Sequence, residues 1–134
     1  MATYNSFEDL PVWKSAKELA VAVYKITAQS KISKDYGLSN QIQRAAVSVS
    51  INIAEGFERG GKQEFIQFLY VARGSCGELR SQLGICKDVN YLSESEYNQI
   101  NALAIEVSKQ LNGFIQYLKG SNIAGQKFHG VNKN

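Results

Sequence analysis

The segment GFERGGKQ, residues 56–63, carries the residue types of a phosphate cradle. Gly56, Gly61 and Lys62 fit the spacing G-x-x-x-x-G-K-[ST], and Gln63 breaks it. A working cradle needs a strand that delivers the glycine-rich loop to a helix N-terminus, and a hydroxyl to hold magnesium. Here SVSINIAE precedes Gly56 in a helical pattern, and Gln63 offers no hydroxyl. The segment therefore reads as a helix stop, a tight turn and a helix start. Gly60 and Gly61 suit the positive φ such turns require. One weaker chemistry survives, since a helix start beside Arg59 and Lys62 is a generic anion site.

A second pattern lies just upstream. On a helical wheel, Arg44, Ser48, Asn52 and Glu55 fall within about 80° of Gln41. Ile42, Ala46, Val49 and Ile53 flank this arc on one side, with Val47, Ile51 and Ala54 on the other. A narrow polar arc between two apolar faces indicates a helix buried on two sides. Three readings are open. The arc is a hydrogen-bonded network at helix or subunit contacts, with Arg44 pairing Glu55 of a neighbour or Glu78, and Asn52 bonding a facing backbone. Alternatively it touches a ligand or nucleic acid, or it is catalytic. Catalysis has the least support, because the arc holds one carboxylate, the single histidine is His129 near the end of the chain, and Cys76 has no evident base. No catalytic, metal or cofactor set is expected, and no enzymatic activity.

Further along, RGSCGELRSQLG places Gly74, Gly77 and Gly84 inside a helical pattern. Each costs about 1 kcal/mol relative to alanine unless something compensates. Such small residues let another helix approach closely, which suggests a second packing face and oligomerisation. Arg73 and Arg80 are seven residues apart, on one face with Lys62, and form a basic ridge. The ridge is either a solvated face or a row of phosphate contacts. With Arg59 it makes the candidate nucleic-acid surface: Arg59, Lys62, Arg73 and Arg80.

These residues must be held by helices. A chain of 134 residues with 44% apolar and 20% charged residues is one ordinary globular domain. Pro11 is the only proline, no stretch alternates as a strand does, and no sequence repeat is evident. Apolar periodicity predicts helices over residues 10–29, 38–55, 61–89 and 93–119, with Asp9 and Ser39 capping the first two and S-E-S-E at 93–96 a capping box for the last. QSKISKDYG is a linker. Four helices with short connections imply an all-α, antiparallel up-down four-helix bundle over residues 1–120. GSNIAGQKFHGVNKN, glycine- and asparagine-rich, gives a mobile tail over 121–134. The net charge of +3 permits an anionic partner without demanding one. Cys76 and Cys86 lie ten apart on one predicted helix, about 15 Å, too far for a disulfide, and are expected reduced. The absence of a signal peptide or an 18-residue apolar run points to a cytoplasmic protein that does not enter membranes.

Three segments in order, LPVWKSAKELA, YGLSNQIQRAAVSVSINIAEGFER and FIQFLYVARGSCGELRSQL, closely resemble the four-helix bundle family that includes the 23S rRNA intervening-sequence proteins of bacteria. The resemblance runs over about residues 7–119 and rests on Q-x-x-R-A-A-x-S-x-x-x-N-I-A-E-G and A-x-G-S-x-x-E-L. The matching positions are Gln41, Arg44, Ser48, Asn52, Glu55, Gly56, Arg59, Gly74, Ser75, Glu78 and Leu79. The proline frequent before Y-G-L is replaced by KISKD. The resemblance implies a left-handed bundle, a ring-like homopentamer and no enzymatic activity. A related branch, the accessory variability proteins of diversity-generating retroelements, binds a reverse transcriptase and is thought to contact nucleic acid through a basic surface. The expected partners are thus further copies of the chain, structured RNA, or a partner protein of that kind.

Overall fold

The computed structural model describes residues 4–120, which form helices joined by short connections. A 3-10 turn, Phe7–Asp9, leads into α1 (Pro11–Thr27), a single-turn α2 (Ser30–Ser33), α3 (Tyr36–Arg59), α4 (Lys62–Asp88) and α5 (Glu94–Lys119). The described residues contain no β-strand. The tail expected over 121–134 lies outside them.

Two helix boundaries agree closely with the periodicity. Ser93 caps α5 through its side chain, and Glu96 returns a bond to the Ser93 N–H, completing the capping box. α4 spans the predicted interval to within a residue at its end. The other starts differ. Asp9 caps nothing, because α1 begins at Pro11 behind Leu10, which gives no side-chain cap. Ser39 is buried within α3, and Asp35 caps that helix by accepting from the Leu38 N–H. The expected linker holds α2, whose Ile32 is fully buried and pins the connection to the core.

The largest departure is at Gly56, which does not stop α3. The helix continues to Arg59 and ends at Gly60, whose φ of 86° is the left-handed conformation that favours glycine. Gly56 lies where α3 crosses α4 closely: a Cβ there would sit 2.6 Å from the Cβ of Phe68 and 2.9 Å from the Phe65 ring. Glycine is needed there for space, not for its backbone freedom.

Around the core, α3 packs on α1 and α4, and α5 packs on α4 and α1. Leu19, Ile42, Ile53, Leu69, Leu83 and Leu111 are fully buried along it. Edge-to-face contacts of Phe65 with Phe57 at 6.0 Å and with Phe114 at 5.3 Å join α3, α4 and α5 near one end. At the other end, the Tyr91 hydroxyl donates to Asp35 at 2.9 Å and ties the α4–α5 turn to the start of α3. Contacting pairs run in opposite directions along neighbouring helices: Ser48 meets Ser75 and Phe57 meets Phe65 across α3 and α4, while Arg73 meets Asn112 and Tyr70 meets Lys119 across α4 and α5.

Candidate functional site

α4 is the helix on which the singled-out residues converge, because its two edges lie against different partners. One edge faces α3. The Ser48 and Ser75 hydroxyls share a hydrogen bond of 2.9 Å there, and the Asn52 amide donates to the Ser48 hydroxyl at 3.0 Å and the Ser48 carbonyl at 2.8 Å. This half-buried cluster is the part of the predicted polar arc that the fold brings together. Asn52 bonds its own helix, not a facing backbone. Ser75 completes the cluster from α4, a partner that the wheel of one helix could not identify.

The rest of the arc stays apart. Glu55 pairs with Arg59 one turn on, at 3.1 Å and near half exposure. Such a pair contributes little to stability. Gln41, Arg44 and Glu78 are exposed and form no hydrogen bond or ion pair among the described residues, so the suggested Arg44–Glu78 pairing does not form within the chain. Three branched apolar side chains stand in the open on these helices, Ile51 at 53% exposure, Val71 at 53% and Ile85 at 50%.

The opposite edge of α4 faces α5 and is different in kind. Arg73 donates to the Asn112 side-chain carbonyl at 2.8 Å and lies over the Tyr70 ring at 4.8 Å. Lys119, from the end of α5, donates to the Tyr70 hydroxyl at 3.0 Å and also lies over that ring. Lys87 lies over Tyr97 of α5 at 4.9 Å. Arg80 sits one heptad from each of Arg73 and Lys87, beside Cys76, whose thiol donates to the Ala104 carbonyl of α5. Burial pushes the Cys76 thiol up, and the Arg80 charge opposes that. Burial and the Asp35 charge push Cys86 up to about 11. Both thiols are thus held neutral near pH 7.

Of the four cations in the predicted surface, Arg73 and Arg80 are exposed on this seam. Arg59 is on α3, paired to Glu55 and lying over Phe68 at 5.1 Å. Lys62 is only 8% exposed and engaged in the protein. The Glu64 carboxylate folds back to Gly61, 3.3 Å from where a Cβ would stand, so an anion approaching the start of α4 meets a like charge. Sequence reasoning missed Lys87 and Lys119. Lys87 continues the heptad of Arg73 and Arg80 and was legible as such, whereas Lys119 joins only through the packing of α5.

Among the described residues no group of three His, Cys, Asp or Glu side chains is placed to hold a metal ion, and no helix is long and apolar enough to cross a membrane. A hollow of about 690 Å³ is an open trough along α1 bordered by Trp13, Lys14, Lys17, Val21, Lys25 and Leu103.

The family model of the 23S rRNA-intervening sequence protein matches residues 8–113. A solved structure from Bacteroides thetaiotaomicron, a protein with unknown function of the S23 ribosomal protein family, superposes with a TM-score of 0.72 at 27% identity, covering 78% of this chain and 98% of that one. No curated protein matches the chain.

Proposed function

The chain belongs to the 23S rRNA-intervening sequence protein family, and from that premise we propose a non-enzymatic, cytoplasmic accessory protein that binds structured RNA. The observation that carries this reading is the row of cations on α4, extended by Lys119, in which none of Arg73, Arg80, Lys87 and Lys119 makes an ion pair among the described residues. Their charge remains available to phosphates.

The opposed contact registers support an antiparallel up-down bundle, which the family resemblance makes left-handed. The bundle assembles into a ring-like homopentamer through the α3 edge of α4, where Ile51 and Val71 would leave water and Arg44 and Glu78 would find partners on a second copy. Five copies multiply the formal charge of +3 into a field that one chain lacks.

Fluorescence anisotropy with a structured RNA hairpin, titrated across salt, tests the reading, with the mass checked by light scattering against five times 14.8 kDa. Binding that weakens steeply with salt is expected. No binding at low salt by a folded oligomer overturns it. A second reading, a scaffold for a partner protein such as a reverse transcriptase, draws on the exposed Ile51 and Val71. Retrieval of one protein after nuclease treatment, together with no RNA affinity, would select it.

A further inference from the structure

The α4–α5 seam has a chemistry more specific than positive charge. Arg73, Arg80 and Lys87 recur every seven residues, about 10.5 Å apart along one helix face. Lys119 adds a fourth cation beyond Arg73. Gly77 and Gly84 alternate with these cations, and a Cβ built on either meets nothing within 4 Å. Between the charged side chains the helix is therefore bare and approachable. An apolar helix docking on the glycines would bury Arg73 and Arg80 without counter-charges, which costs several kcal/mol per ion. An anionic partner meets no such penalty.

The tyrosines narrow the partner further. Single-stranded nucleic acid is held by bases stacked on open aromatic faces. Tyr70 and Tyr97 are half-buried, and each has a cation over its ring: Arg73 and Lys119 over Tyr70, Lys87 over Tyr97. Neither is a free platform. The rings instead hold the cations at fixed positions without neutralising them, as a carboxylate would. A row of charges of which Arg73, Lys87 and Lys119 are anchored fits phosphates whose own spacing is fixed, which is the condition in a duplex.

We propose that the α4–α5 seam, through Arg73, Arg80, Lys87 and Lys119, grips the phosphate backbone of double-stranded RNA and reads no base sequence. The proposal rests on the RNA-binding reading above and deepens it.

The test uses the full chain and fluorescein-labelled RNA: a perfect duplex, a second duplex of unrelated sequence, and the unpaired strands of each. Anisotropy is measured at several salt concentrations. The two duplexes should bind within about threefold of each other and at least tenfold more tightly than the single strands. Two paired variants, Arg73→Gln with Arg80→Gln and Lys87→Gln with Lys119→Gln, should each weaken duplex binding at least tenfold. Each should also lower the salt slope by about 0.9 per cation removed. Lys14→Gln with Lys17→Gln, the same charge change on the α1 trough, should do neither, and Tyr117→Ala, which removes an exposed ring from α5, should leave single-strand affinity unchanged. Duplex binding that survives both seam variants, or a preference for single strands or for one sequence, overturns the seam assignment while leaving RNA binding in place. Absence of all RNA binding in the unmutated chain overturns both readings together.

Discussion

The two edges of α4 solve opposite problems with the same residue type. Against α3, Gly56 lets two helices come so close that a methyl group would collide with Phe68. Against α5, Gly77 and Gly84 face open space. The α3 edge is tight, with Ser48, Asn52 and Ser75 linked by hydrogen bonds, and it shows apolar side chains to solvent. The α5 edge shows cations held by tyrosine rings and an amide. One edge has the makings of a protein contact and the other of a polyanion contact. A single helix separates the two surfaces because about 100° of turn per residue distributes its side chains to different sides.

The strongest way to break this division is at Ile51. Changing Ile51→Glu places a charge where the proposed assembly removes water, and burying an unpaired carboxylate is costly. The light-scattering mass should fall from the oligomer to one chain, while the melting temperature in dilute protein changes little because the residue is 53% exposed. An unchanged mass would move the subunit contact off the α3 edge.

The two kinds of glycine sharpen the comparison next. Gly56→Ala should destabilise the fold by about 1–3 kcal/mol, since the collision is with the Cβ of Phe68 and not with the end of a flexible side chain. Gly77→Ala should do the reverse and stabilise by about 1 kcal/mol, the helix propensity of alanine with no steric penalty. Urea titrations of both variants measure this. Equal effects of the same sign would remove the distinction between a crowded edge and an open one.

This contrast also marks what the sequence could and could not reveal. The interval of α4 and the capping box of α5 were legible because periodicity and capping are local. Gly56 misled, because a glycine needed for left-handed φ and one needed for close approach look alike in a sequence, and among the described residues only Gly60 is of the first kind. Asp35 escaped notice as a cap since KISKD has the composition of a linker, and the burial of Ile32 that makes it a structured turn depends on the distant core. The polar arc was found as a pattern, but its closure by Ser75 required the α3–α4 register. The cation row was half found for the same reason: Arg73 and Arg80 share a helix, whereas Lys119 comes from the end of α5.

The smallest expected effect tests whether the α3 edge is a joint within one chain or also a surface between chains. Ser48→Ala and Ser75→Ala should each cost about 1 kcal/mol, because each leaves a half-buried hydroxyl without its partner at 2.9 Å. The double variant should cost less than the sum, with a coupling of about 0.5–1.5 kcal/mol in a double-mutant cycle. RNA affinity should be indifferent, as neither hydroxyl lies on the α5 edge. If the single variants also lowered duplex affinity tenfold with the fold intact, the two edges of α4 would be energetically linked, and the assignment of one function to each would fail.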